Sequence, residues 1–119
     1  MAIELIEPLV GNSTGAKVLL YLANYGDGYA SGIARTFALS VSQVLKQLER
    51  FEQGGILVQR PLGRTRLYTW NPRWPLRQEL QAMLQKALTR SSEYETQAFF
   101  RERRRPRLKG KPYELISQD

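Results

Sequence analysis

Ser40-Val41-Ser42-Gln43-Val44-Leu45-Lys46-Gln47-Leu48-Glu49-Arg50-Phe51-Glu52-Gln53-Gly54-Gly55 is the stretch that decides the fold. Val41, Val44, Leu45, Leu48 and Phe51 recur at the i, i+3, i+4, i+7 spacing of one helix face. That spacing predicts a helix over 41–53, stopped by the paired glycines because glycine accepts the backbone angles that end a helix. Ser42, Gln43, Lys46, Gln47 and Arg50 then fall on the solvent side.

Working upstream, Ser31 is placed to cap a short helix that turns Ile33, Ala34 and Phe37 inward, and Ala38-Leu39 makes a tight bend into Ser40. Gly11-Asn12-Ser13-Thr14 is a turn-and-cap cluster ahead of Val18, Leu19 and Leu22, which predicts a first helix over 14–25. Gly26-Asp27-Gly28 ends it, and Tyr29-Ala30 is expected to pair as a brief strand. Downstream, Ile56–Arg60 and Arg66–Trp70 are β-rich runs joined by Pro61-Leu62-Gly63-Arg64-Thr65, a hairpin with a basic tip. Asn71-Pro72 breaks the second run. Pro75 suits the first turn of another helix, along which Leu76, Leu80, Met83, Leu84, Ala87 and Leu88 repeat with helical period. Ser92-Glu93-Tyr94-Glu95 fits a capping box, so residues 91–105 either continue that helix or open a separate one. Arg103-Arg104-Arg105-Pro106-Arg107 and Lys109-Gly110-Lys111-Pro112 read as a basic tail interrupted by proline.

At 119 residues, the chain has apolar material for one core and not for two. With 42% hydrophobic and 24% charged residues it is too apolar to stay disordered throughout. The longest apolar run, Val18–Ala23, is far short of the ~20 residues that cross a bilayer, and Met1-Ala2-Ile3-Glu4 lacks the basic start of a signal peptide. A soluble, cytoplasmic protein with no membrane partner is the expectation. Zero Cys and zero His remove thiolate and imidazole ligands, disulfides and the usual nucleophile schemes. No paired carboxylates, Gly-rich phosphate loop or Gly-x-Ser-x-Gly motif stands in their place, so the reading is of a non-enzyme with no metal, cofactor or catalytic residue.

Eighteen Lys and Arg against eleven Asp and Glu give a formal charge of +7, a balance that favours nucleic acid or another polyanion. The excess sits in the middle of the chain. Residues 31–90 hold ten basic and three acidic side chains, and no acidic residue stands between Gln53 and Glu79. A soluble hairpin has no structural need for one-signed charge, so Arg60, Arg64 and Arg66 around Gly63 point to a partner.

Two helices separated by a tight turn, the second with a polar and cationic face, followed by a two-stranded hairpin, make a winged helix-turn-helix. The expected class is α+β, mostly helical. Residues 1–90 would form the DNA-binding domain and 91–119 a C-terminal helical extension with the basic tail. A B-DNA major groove is ~12 Å wide and admits one helix, which here is 41–53, while the wing at 60–66 lies on the backbone or in the minor groove. Gln suits adenine, Arg and Lys suit guanine, and Ser42 can hold a phosphate near the helix start.

Ile33-Ala34, Phe37-Ala38-Leu39-Ser40 and the run from Ser42 to Leu57 resemble the helix-turn-helix of ArsR- and MarR-like transcription regulators. Gly63-Arg64-Thr65-Arg66-Leu67-Tyr68 with Asn71-Pro72 is similar to that family's wing. Trp74-Pro75-Leu76 leading into Glu79-Leu80 is similar to the winged-helix domain beside some nucleotidyltransferases. The resemblance spans about Val10 to Leu88. It implies a dimeric, sequence-specific regulator of transcription that binds double-stranded DNA. Ser42, Gln43, Lys46, Gln47 and Arg50 match the recognition positions, and Arg64 and Arg66 match the wing positions. The Cys and His clusters of metal-sensing ArsR proteins are absent, so metal sensing is not implied, and no small-molecule effector is specified. Leu76, Leu80, Met83, Leu84 and Leu88, with Phe99, are read as at least partly a dimer seam. The alternative is a winged-helix module that binds protein or RNA without operator specificity, because fold does not fix function.

Overall fold

A computed structural model describes residues 2–90. The order of elements is α1 (Ala2–Val10), α2 (Ser13–Tyr25), β1 (Asp27–Gly28), α3 (Ala30–Phe37), α4 (Val41–Gln53), β2 (Leu57–Leu62), β3 (Thr65–Trp70) and α5 (Arg77–Arg90). The three strands form an antiparallel sheet in the order β1-β3-β2. The class is α+β and mostly helical, as the sequence pattern implies.

Helix α2 is the centre. Asn12 caps it, its side chain accepting from the Gly15 N–H at 2.6 Å, and Gly26 closes it at φ 91° with its N–H on the Leu22 carbonyl. Between those ends Ala16, Val18, Leu19, Leu20, Tyr21 and Leu22 are all buried, because α1, α3, α4, α5 and β1 pack around the helix. α1 was not anticipated from the sequence. It turns Ala2 and Ile6, one turn apart, onto the core and leaves Leu5, Leu9 and Pro8 exposed.

The brief strand lies two residues earlier than the Tyr29-Ala30 expected for it. Asp27 and Gly28 pair with Thr69 and Tyr68, whereas Tyr29 takes extended backbone angles as the N-cap of α3 and Ala30 is already helical. Gly28 is required there: a Cβ on it would stand 2.7 Å from Cε1 of the Tyr21 ring. Ser31 therefore lies inside α3 and does not cap it, though Ile33, Ala34 and Phe37 are buried as the spacing demands. Ala38 makes the turn into α4 at φ 57°, the only left-handed non-glycine among the described residues. That conformation costs an alanine about 1 kcal/mol and is held by the Leu39 N–H on the Ala34 carbonyl at 2.9 Å.

The hairpin strands are longer than the β-rich runs, and the connection shrinks to Gly63-Arg64, with Leu62 paired to Thr65. Gly63 at φ 63° followed by a residue of negative φ is the pattern of a type II′ turn, whose twist matches the strands it joins. Asn71 ties the hairpin base down, its side chain donating to the Gly55 carbonyl at 2.8 Å and its N–H to that of Ile56 at 2.9 Å. α5 starts at Arg77, not at Pro75, because a turn from Asn71 to Trp74 and a second from Trp74 to Arg77 precede it.

The apolar stripe of α5 divides. Leu84, Ala87 and Leu88 are buried in the chain's own core and Leu80 is packed against it, while Leu76 and Met83 are exposed. A seam made of the whole stripe is thus not what α5 offers, since the helix turns its last two turns onto α1 and α2. Phe99, the capping box at Ser92 and the basic tail lie outside the described residues. Leu84→Ala is expected to destabilise the fold by about 2–5 kcal/mol and Met83→Ala by no more than about 1, read from denaturant unfolding.

Candidate nucleic-acid interface

Helix α4 begins with a reciprocal cap. Ser40 Oγ accepts from the Gln43 N–H at 3.1 Å, and Gln43 Oε1 accepts from the Ser40 N–H at 3.1 Å. Leu39 just before the cap and Val44 in the second turn occupy the positions of a hydrophobic staple, Val44 in the core and Leu39 packed against it. Gln43 is exposed, with its carbonyl oxygen committed to the cap. Ser42 is exposed too, its hydroxyl 3.2 Å from that of Ser40.

Gln47 and Arg50 are both engaged in hydrogen bonds within the chain, although Arg50 is exposed. Gln47 is half-buried, and its Oε1 accepts from Asn12 Nδ2 at 3.4 Å and from Arg50 Nε at 3.1 Å. Arg50 reaches on to the Val10 carbonyl at 3.4 Å and lies 4.9 Å from the Phe51 ring centroid. These contacts lock α4 to the corner between α1 and α2. Gly15 makes the approach possible, since a Cβ there would meet Val10 Cγ1 at 2.6 Å and Gln47 Oε1 at 3.1 Å. Beside Gln47 and Arg50 stand Ser42, Lys46, Glu49 and Gln53, which share one side of α4 and are all exposed, as is Gln43. Glu49 was overlooked in the sequence, although its spacing of three from Lys46 and seven from Ser42 marks its place. With Lys46 and Arg50 balanced by Glu49 and Glu52, α4 carries no net charge.

The basic character belongs to the hairpin. Arg60, Arg64 and Arg66 are all exposed, but the pleat separates them. Arg66 pairs with Pro61 and shares the inner face with Tyr68, Trp70 and Leu57, whereas Arg60 pairs with Leu67 on the other face. Arg64 sits in the turn itself. The three arginines thus line two faces and a tip, and Arg60 does not stand on the side of Arg66.

The inner face also carries a buried polar pair. Gln59 and Tyr68 are register partners, and neither Gln59 Oε1 nor the Tyr68 hydroxyl has a hydrogen-bond partner among the described residues. Burial raises the Tyr68 phenol above its ordinary value, with the nearby Arg66 guanidinium opposing the shift and the carboxylates of Glu52 and Glu49 adding to it. Arg66 and the carboxylates of the second half of α4 therefore all lie near enough to act on the Tyr68 hydroxyl. No group of three or more metal-ligating side chains occurs among the described residues, and no described helix is long and apolar enough to cross a membrane.

Comparisons with protein-family models, curated proteins and solved structures found no match.

A buried hydroxyl whose only neighbouring donor among the described residues is the Arg66 guanidinium recovers little of its desolvation cost. Tyr68→Phe is expected to leave stability at pH 7 unchanged or to raise it by about 1 kcal/mol. The sign of the pH effect follows from the raised phenol: the unfolded chain gives up this proton near pH 10.0 and the folded chain later. The linked stability is complete below pH 10.0 and lost as pH rises through the folded value, so wild type should lose stability more steeply than Tyr68→Phe in denaturant titrations above pH 10.0.

Proposed function

We propose that the chain is a winged helix-turn-helix protein that binds double-stranded DNA in a sequence-dependent way and regulates transcription by occupying an operator. The observation that carries this reading is the hairpin: three exposed arginines on a short prong, with no acidic residue from 54 to 78, beside a helix that presents polar side chains. Phosphates answer that charge, and the edges of base pairs answer the mixed face of α4. The tight turn at Ala38 between α3 and α4, followed directly by the hairpin, supports the same reading.

The two tasks fall on different elements. Arg60, Arg64 and Arg66 supply sequence-independent affinity; Ser42, Gln43, Lys46 and Glu49 read, Gln43 through its amide nitrogen and Glu49 by accepting from a cytosine amino group. Gln47 and Arg50 act chiefly by positioning, fixing the angle at which α4 leaves the body. A homodimer pairs two such helices on half-sites about one helical turn apart. Leu76 just ahead of α5 and Met83 on it, with Leu5 and Leu9 on the neighbouring α1, are exposed apolar groups available to it.

The test is an anisotropy titration on duplexes selected from a random pool. Arg64→Ala is expected to weaken every duplex alike and to reduce the log–log salt slope by about 0.9, the value of one phosphate contact. Lys46→Ala should weaken preferred duplexes more than unrelated ones. Binding that shows no preference among duplexes, or a partner protein held through high salt, overturns the reading in favour of an interaction module.

A further inference from the structure

Val41 is the first residue of α4, and it is 49% exposed among polar neighbours. Helix formation does not call for it. Valine is a mediocre helix former, the cap is completed by Ser40 and Gln43, and the staple positions are filled by Leu39 and Val44. Nor does the core use it, since the α4 residues fully turned inward are Val44, Leu48 and Phe51. Leu45, one turn further on, is half-buried on the same flank, so the two make a short apolar strip along the start of α4. Ser42 stands beside this strip and Lys46 one turn above, both exposed.

The start of a recognition helix is the part that reaches base edges, and the major groove offers one apolar feature there, the C5-methyl group of thymine. Resting on the reading of α4 given above, we infer that Val41 is a specificity-determining residue that packs against a thymine methyl, so that the chain prefers sites with thymine at a fixed position in each half-site. Aliphatic contact is the only discrimination valine can supply, having no donor or acceptor, whereas Ser42 and Lys46 beside it hydrogen-bond to neighbouring groups. Removing the methyl from the base and the aliphatic group from the protein should therefore be equivalent and not additive.

The experiment uses the full chain and a duplex selected from a random pool, with each thymine replaced singly by deoxyuridine, which differs only in lacking the methyl. At one thymine per half-site wild type is expected to bind about threefold to fivefold more weakly, the effect of one buried methyl-sized group. Val41→Ser should bind the thymine duplex as weakly as wild type binds the uracil duplex, and should show no further loss on the uracil duplex. Val41→Thr, which keeps one methyl, should fall between. Unchanged thermal melting of both variants separates lost contact from lost fold. The inference is overturned if a preferred sequence exists but no thymine in it is sensitive to deoxyuridine, or if the loss persists undiminished in Val41→Ser. A pool that yields no preferred sequence overturns the DNA-reading function itself along with it.

Discussion

Because α2 is apolar over nearly its whole circumference, it can be stable in water only when several elements close around it, and that requirement sets the architecture. α1 and α5 cover it on one side, α3 and α4 on another, and β1 crosses its C-terminal end. The sheet is tied to the same helix: Trp70 Nε1 donates to the Leu22 carbonyl at 3.3 Å, and Thr69 Oγ1 to that of Gly26 at 3.0 Å. Position on the surface is thus inherited from α2. α4 and the hairpin project where they do because Val44, Leu48, Leu57 and Tyr68 are buried in the one core that α2 organises.

Much of this was legible in the sequence where apolar spacing and turn chemistry agree. The bounds of α4 follow from Val44, Leu48 and Phe51 between Ser40 and Gly54, and the hairpin from its β-branched and aromatic runs around Gly63. Local signals failed where tertiary pairing decides. Asp27-Gly28 has poor strand propensity and is a strand because Thr69 and Tyr68 lie alongside and Tyr21 excludes a side chain at Gly28. α1 contains Pro8 and has no capping signal, and it becomes helical by laying Ala2 and Ile6 on α2 and α5. The α5 stripe was visible as apolar, but which members meet their own core depends on where Asn71 and Trp74 start the helix.

The candidate interface was legible by composition and less so by geometry. Lys46 and Ser42 are exposed as the helical period requires. Gln47 and Arg50 have residue types suited to reading bases, yet their bonds to Asn12 and Val10 come from an element the sequence did not reveal. The split of Arg60 from Arg66 was available from the two-residue period of a strand, once the register was known. A neutral helix thus stands beside a cationic prong. On the proposed reading, the arginines would change affinity without changing preference, and the helix would change preference without losing the attraction of the prong.

The placement of β2 at the border of the sheet gives Pro61 a role beyond the hairpin. An edge strand is a template on which the strand of another molecule can assemble, and proline, lacking an amide hydrogen, interrupts that template near its outer end. Arg60 beside it adds charge that two stacked copies would have to bring together. The prong is protected by these two residues from growing into a shared ribbon between molecules, so that at high local concentration it stays a finger and not a seed.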